Sequence, residues 1–220
     1  MSFNKYSGED AVLKEYIDLI DYDIVKHGKG FELYQRFFDI LLSLIGLVIG
    51  IPLILIFGIL IKIEDRGPIT YKQERLGKNG KEFYVYKLRS MRTDAEKFGA
   101  QWAEKDDPRI TKVGKFIRKT RIDEIPQLWN ILKGDMGIIG PRPERSIFTK
   151  EFEEKYPNFV YRLAVKPGLT GWAQVNGGYE MDPGEKLEYD LYYIKNRSVL
   201  LDIKIIFMTV KVVFTGDGAR

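Results

Sequence analysis

Asp123 and Glu124 stand side by side just ahead of Pro126, in the stretch RIDEIPQLWNILKGDMGIIGPRP that runs from Arg121 to Pro143. Proline suits the first turn of a helix, so both carboxylates fall at or just before a helix N-terminus, where the dipole favours the ionised form. A carboxylate pair in that place has two chemical uses. An anionic Asp123 surrounded by cations can attack phosphorus, because the cations offset the negative charge of the target. Alternatively the pair can hold Mg²⁺, which takes one or two carboxylates plus substrate phosphates. Plain helix capping is the competing reading, and the dipeptide alone does not choose.

The surroundings favour phosphate chemistry. Arg109, Lys112, Lys115, Arg118, Lys119 and Arg121 crowd into residues 108–122 with no acid among them. Such a run meets phosphate, unless it is only a solvated helix face. Arg142 sits between Pro141 and Pro143. The prolines fix the backbone, and a rigidly presented arginine suits bidentate phosphate binding. Lys87 and Arg89, two apart on an expected strand, share a face and join the candidates. Trp172, Gln174 and Asn176, in a glycine-rich segment read as loop, offer contacts to a base or sugar. The chain has no cysteine, and its one histidine, His27, lies in a polar lead segment. Thiolate catalysis, cysteine-ligated zinc and histidine triads are therefore excluded. Net charge is a mild +4, with 45% hydrophobic and 30% charged residues, as in an ordinary folded domain.

The elements that must position these groups begin with a membrane segment. Residues 40–61 carry no charge over 22 positions, long enough to span a bilayer. The segment starts too late for a signal peptide and lacks a small-residue cleavage site. Pro52 interrupts it, at a cost of ~3 kcal/mol in a regular helix. The arms on either side would rise only about 18 and 14 Å. Lys26, Lys29 and Arg36 precede the segment, and Lys62, Arg66, Lys72 and Arg75 follow it, so the positive-inside tendency draws both ends to the cytoplasmic face. A helix–break–helix dipping into one leaflet satisfies all of this; a proline-kinked spanning helix is the rival.

Elsewhere, Asp10–Ile24 has the periodicity of a surface helix, and Tyr71–Met91 reads as a hairpin turning at Asn79-Gly80. Val113–Lys119 reads as a short basic amphipathic helix. Pro126–Lys133 is expected to be a helix stopped by Gly134, and Phe148–Leu163 and Lys186–Asn196 two more. Lys166–Gly178 reads as loop and short strand. Ser198–Phe214 is apolar but carries Asp202, Lys204 and Lys211, which cost ~2.5–3.5 kcal/mol each at a bilayer centre. It therefore reads as a helix in the membrane interface, with a buried core helix as the alternative.

Taken in order, Arg36…Phe38-Asp39…Pro52, Gln73-x-Arg75-x-Gly77, Tyr86–Met91, Asp123–Leu128, Gly134-Asp135-Met136…Gly140-Pro-Arg-Pro143 and Lys166–Asn176 resemble the bacterial sugar transferase family, the monotopic phosphoglycosyl transferases. The resemblance covers about Phe31 to Phe214. It implies a compact mixed α/β catalytic domain on a re-entrant membrane helix, with interfacial amphipathic helices. The expected division is a polar N-terminal extension (1–30), the re-entrant segment with its break at Pro52 (31–63) and a cytoplasmic-face catalytic domain (64–220). It implies transfer of a phosphosugar from a UDP-sugar to polyprenol phosphate at the bacterial cytoplasmic membrane, with Mg²⁺ and a covalent intermediate on Asp123. Glu124 is left as metal ligand or acceptor-activating base. Arg118, Arg142, Lys87, Arg89 and Gln174 are the expected substrate contacts. Downstream glycosyltransferases and self-association are compatible with this reading; nucleic acid is not an expected partner.

The chain departs from the family pattern at Ile51, where relatives often place Ser before the proline, and at Gly137, where Ser often follows Asp-Met. The large N-terminal domains of longer relatives are missing from the expected layout. Two other classes share the same groups: a membrane-bound phosphohydrolase using a covalent Asp, and a non-enzymatic basic module on a membrane surface.

Overall fold

The computed structural model describes residues 8–25, 28–97, 99, 107–177 and 181–215. His27, Lys26 and Gly178 lie outside them. The fold is mixed, mostly helical, with two small two-stranded sheets. Helix α1 (Gly8–Asp18) and a 3-10 turn (Tyr22–Ile24) occupy the stretch read as one surface helix. Leu13 and Ile20 from this region are buried against Leu76, Val160 and Leu163, so it is fastened to the domain.

Helix α2 (Lys29–Glu64) is the organising element. It runs 36 residues without a break, with Pro52 inside it. The stretch expected as helix–break–helix is helical on both sides of Pro52 and through it. The physical reason lies in what grips each arm. A proline removes one N–H and crowds one carbonyl, but in apolar surroundings every other backbone group still needs its helical partner. Both sides of Pro52 are independently pinned, so the helical path carries through it. On the early arm, Arg36 donates to the Ile131 and Leu132 carbonyls at 2.6 Å each, and Asp39 accepts from the Ile138 N–H at 2.7 Å. On the late arm, Ile61 is buried with Leu88 and Ile117, and Glu64 accepts from the Lys112 and Val113 N–H groups at 2.7 and 2.9 Å. These last are the first amides of α3 (Lys112–Lys119), where a carboxylate is favoured by the helix dipole.

The inward stripe of α2 runs Asp39, Ser43, Gly46, Gly50, Gly58, Ile61, at helical spacing. Small residues let the domain come close. A Cβ on Gly46 would stand 2.8 Å from a Leu128 methyl, and one on Gly50 only 2.4 Å from Ile125. The outer faces carry exposed Leu33, Phe37, Ile45, Val48, Ile49, Leu55 and Ile59.

Strands β1 (Thr70–Leu76) and β2 (Glu82–Leu88) form the expected antiparallel hairpin, registering Tyr71 opposite Lys87 and Arg75 opposite Phe83. Asn79 (φ 58°) and Gly80 (φ 70°) take the left-handed conformations of a primed turn, closed by the Lys81 N–H on the Lys78 carbonyl. Helix α4 (Gln127–Lys133) ends at Gly134 (φ 91°) as predicted. Its Leu128 and Ile131 pack with Phe83, Val85 and Met136. Buried Asn130 ties α4 to β2, donating to the Tyr84 carbonyl at 2.6 Å and accepting from the Tyr86 N–H at 3.1 Å.

Strand β3 (Gly137–Ile139) pairs in parallel with β4 (Gly168–Thr170). Between them, the expected helix over Phe148–Leu163 divides into α5 (Ser146–Lys155) and a 3-10 stretch (Phe159–Ala164). Pro157 forbids continuation, and Asn158 reverses the chain at φ 74°. The segment read as loop after β4 contains a short helix, α6 (Trp172–Gly177). Its six residues lie between glycines, too short for a periodicity signal. Helix α7 (Pro183–Asn196) starts at an Asp182 cap, and α8 (Val199–Thr215) follows. Asp202 and Ile205 of α8 face inward while Leu200 and Phe207 are exposed, so α8 is not a buried core helix.

The close seat of α2 generates a test. Gly50→Ala forces a methyl against Ile125 and should cost about 1–3 kcal/mol in detergent unfolding. That cost should largely vanish in an Ile125→Ala background. An undiminished cost there would mean the two residues are not in contact.

Candidate active site

The acid pair sits where two helices are joined at a sharp reversal. Helix α3 closes with Arg118 and Lys119 in its last turn; Arg121 then adopts φ 57°, and a 3-10 turn (Ile122–Glu124) leads into α4. The Glu124 N–H returns to the Arg121 carbonyl at 3.1 Å. This turn carries both carboxylates inward beneath β2, where Lys87 shares the side of Phe83 and Val85.

The two carboxylates have different fates. Glu124 accepts a hydrogen bond from Arg142 Nη2 on Oε1, lies 3.3 Å from Lys87 Nζ through the same oxygen, and has Arg121 4.0 Å from Oε2. Burial alone would raise the Glu124 carboxyl, but Arg142 and Lys87 outweigh it and hold it well below the usual carboxylate range. Asp123 is equally buried but makes no hydrogen bond or ion pair among the described residues. Burial, and then the charge of Glu124, push its carboxyl up to about 6, partly offset by Lys87, Arg118 and Arg142. Lys87 is pushed down by its own burial, against the pull of Glu124.

Both acids line a cavity of about 410 Å³ between the hairpin, the α3–α4 turn, the loop after β3 and helices α6 and α7. Among the described residues ten Lys and Arg side chains border it against five Asp and Glu, so its interior favours a polyanion. A nucleotide diphosphate compound is of the right size and charge.

Behind the wall lies a layer of paired charges. Buried Glu144 bridges Arg75 and Lys186, each at 3.3 Å. Arg162 donates to Asp190 at 2.6 Å and to the Arg142 carbonyl at 2.9 Å. Arg142 is therefore aimed twice, by its flanking prolines and by Arg162. Burial pushes the Asp190 carboxyl up, against Arg162.

Asp123, Glu124, Arg118, Arg142, Lys87 and Gln174 all line the cavity. Gln174 is held by its amide on the Leu169 carbonyl at 2.9 Å. Arg89 borders the cavity too, but its guanidinium is committed elsewhere. It donates to the Pro68 carbonyl at 2.7 Å, to Asp65 Oδ2 at 2.5 Å and to the Asp65 carbonyl. It serves as a clamp joining the end of α2 to the hairpin, on the border of the cavity where the sequence placed a phosphate contact. Trp172 and Asn176 do not line the cavity; Trp172 stacks on Tyr192 and lies under Lys204. Sequence reasoning missed Arg75, Glu144 and Lys186 as cavity groups. The hairpin register carried a signal for Arg75, since Tyr71, Gln73 and Arg75 share the face of Lys87.

The donor set fits Mg²⁺ through the acid pair. Asp123 is a free carboxylate facing the cavity, and a bound diphosphate would bring further oxygens. On Glu124, Arg142 and Lys87 take Oε1, and Oε2, with Arg121 4.0 Å away, is the oxygen left for a metal.

Comparison with known proteins gives a match to the family described as bacterial sugar transferase over residues 31–216. The chain is 48% identical over 189 residues to the UDP-N-acetylgalactosamine-undecaprenyl-phosphate N-acetylgalactosaminephosphotransferase of Aeromonas hydrophila, covering 84% of this chain and 45% of that protein. It is 40% identical over 193 residues to the UDP-glucose:undecaprenyl-phosphate glucose-1-phosphate transferase of Escherichia coli, covering 86% and 42%. It is 41% identical over 200 residues to the undecaprenyl-phosphate galactose phosphotransferase of Salmonella typhimurium, covering 84% and 41%. The chain thus spans less than half the length of these three relatives.

The two arginines at the cavity should separate on substitution. Arg142→Lys keeps charge but loses the planar fork, and should lower turnover of a cavity-bound substrate about 10-fold or more, roughly 1.4 kcal/mol. Arg89→Lys should lower thermal stability with KM unchanged. Inverted results would exchange their roles.

Proposed function

The chain belongs to the bacterial sugar transferase family, and on that premise we propose that it transfers a phosphosugar from a UDP-sugar to polyprenol phosphate and releases UMP. The observation that carries this reading is the asymmetry of the acid pair: Asp123 is unpaired and faces a cationic cavity, while Glu124 is locked to Arg142 and Lys87.

An oxygen of Asp123 attacks the β-phosphorus of the UDP-sugar. The bond to the bridging oxygen breaks, and UMP leaves with its electron pair. The product is an acyl phosphate between Asp123 and the sugar phosphate. An oxygen of polyprenol phosphate then attacks that phosphorus, and the Asp123 carboxylate departs restored. Arg142, Lys87 and Arg118 draw the anionic substrate to an anionic nucleophile and stabilise charge developing on the phosphoryl oxygens. Glu124 holds Arg142 and Lys87 in register. With its proton affinity held so low it is a poor general base, so positioning is the better of the roles open to it. Asp123 and Glu124 Oε2 would hold Mg²⁺, which would supply additional charge neutralisation there.

The membrane reading is that α2 stays in one leaflet of the cytoplasmic membrane, with both its ends and the catalytic domain on the cytoplasmic side. Supporting it, α2 touches the domain from Glu32, which pairs with Lys78, to Glu64 on α3. A helix crossing a bilayer would leave a water-side domain behind after a few turns. Its opposite faces are apolar and exposed, as are Leu200 and Phe207 on α8. This seat brings the cavity within reach of a lipid-borne acceptor.

Three outcomes follow. Asp123→Asn should abolish UMP release and lipid product alike. In a single turnover without acceptor, a UDP-sugar labelled in its β-phosphate, starting with UDP-N-acetylgalactosamine from a panel, should leave label on the peptide containing Asp123. Polyprenol phosphate should then chase it. Label that never attaches would favour direct attack by the lipid phosphate; label lost to water at the same rate with or without acceptor would favour a phosphohydrolase. Reporters at both termini should be cytoplasmic, and a periplasmic C-terminal reporter would overturn the one-leaflet seat.

A further inference from the structure

A second cavity, of about 240 Å³, lies between the first half of α2, the end of α7, the start of α8 and strand β3. It shares no lining residue with the cavity of the acid pair. Its polar groups are mostly satisfied. Asp202 accepts from Tyr193 Oη at 3.0 Å and from Gln35 at 3.2 Å. Asp39 is taken by the Ile138 N–H, Glu32 by Lys78, and Arg36 by the two α4 carbonyls. All three acids are thus engaged.

Arg197 is the exception. It is 4% exposed, and its Nε and Nη2 have no hydrogen-bond partner among the described residues. Its guanidinium lies over the Phe31 ring at 5.1 Å and borders the cavity. Buried charged donors are costly when left unmade, so their position here makes a candidate site for an anionic acceptor. At the same cavity Lys166 is exposed and forms no ion pair among the described residues. The remaining wall is apolar: Phe38 and Leu42 from α2, Val199, Ile203 and Ile206 from α8. Outside it, exposed Leu33, Phe37, Leu200 and Phe207 continue the apolar surface on the same two helices.

We propose that this cavity is a binding site for the phosphate of a membrane phospholipid, held by Arg197 with Lys166 at the rim, its acyl chains following the apolar faces of α2 and α8. An acceptor with a hydrocarbon tail matches a cavity that joins these two cations to an apolar wall. The lipid is not the reacting acceptor, because Asp123 and Glu124 border the other cavity. It would act as a wedge that fixes α2 against α8.

The test uses the full chain, purified and delipidated in a maltoside detergent. Dioleoylphosphatidylglycerol in mixed micelles should raise the melting temperature by about 2–4 °C. An uncharged diglucosyl diacylglycerol should not, and neither should millimolar inorganic phosphate. Arg197→Met keeps contact with Phe31 and removes the unmet donors. It should melt no lower than the parent protein without phospholipid, and should lose most of the lipid-induced rise. Lys166→Gln, on the exposed rim, should reduce the rise and provides the measurement if Arg197→Met fails to fold. Native mass spectrometry should find one fewer retained phospholipid in the variants. A rise unchanged in Lys166→Gln and in any folded Arg197→Met would overturn the site. An equal rise with the uncharged glycolipid would remove the phosphate from it, and an equal rise with inorganic phosphate would remove the lipid. None of these readouts involves sugar transfer, so failure here leaves the catalytic reading standing.

Discussion

The burial of Glu124 against Arg142 and Lys87 is the interaction on which the candidate site depends. It joins three pieces of chain: the turn between α3 and α4, strand β2, and the loop after β3. A carboxylate so deeply placed is tolerable only because two cations meet it. The consequence for chemistry is indirect. With Glu124 consuming the nearest cations as partners, its neighbour Asp123 is left unpaired at the cavity wall. One acid is sacrificed to architecture so that the other remains available. Neighbours in sequence, sharing one turn and equal burial, acquire opposite proton affinities from their partners alone.

The membrane helix and the acid pair are mechanically close. Ile125, the next residue after Glu124, packs on Gly50 of α2, and Leu128 of α4 packs near Gly46. Arg36 and Asp39 hold the far end of α4 and the start of β3. Helix α4 therefore rests along α2 from end to end, and the turn holding Asp123 and Glu124 is built against the membrane element. The position of the site relative to α2 is set by direct packing.

Much of the remaining polarity serves positioning. Glu144 gathers Arg75 and Lys186, and Asp190 holds Arg162, which in turn holds the backbone of Arg142. Replacing such buried pairs by apolar residues is often neutral for stability, so their use here is geometric: they orient the groups at the cavity wall. Arg89 shows the same economy, spending its guanidinium on Asp65 and Pro68 to clamp α2 to the hairpin.

The sequence by itself determined what depends on local rules. The hairpin turn at Asn79-Gly80, the stop at Gly134, the basic helix α3, the apolar face of α8 and the convergence of carboxylates with arginines all follow from backbone preferences and short-range spacing. So did the suspicion that Asp123 and Arg142 meet phosphate. What the sequence did not decide depends on contacts between distant segments. Pro52 marks the middle of the apolar segment, but only the fold shows that the domain grips both arms of α2. Lys87 and Arg89, two residues apart and chemically alike, diverge because one meets Glu124 and the other Asp65. Helix α6 is too short for any period to register. Arg197 becomes a buried, unsatisfied cation only when α2 and α8 close over it. Spacing along a chain fixes which face a residue shares with its neighbours, but the partner across the fold sets its charge state and its freedom, and that partner is chosen by packing.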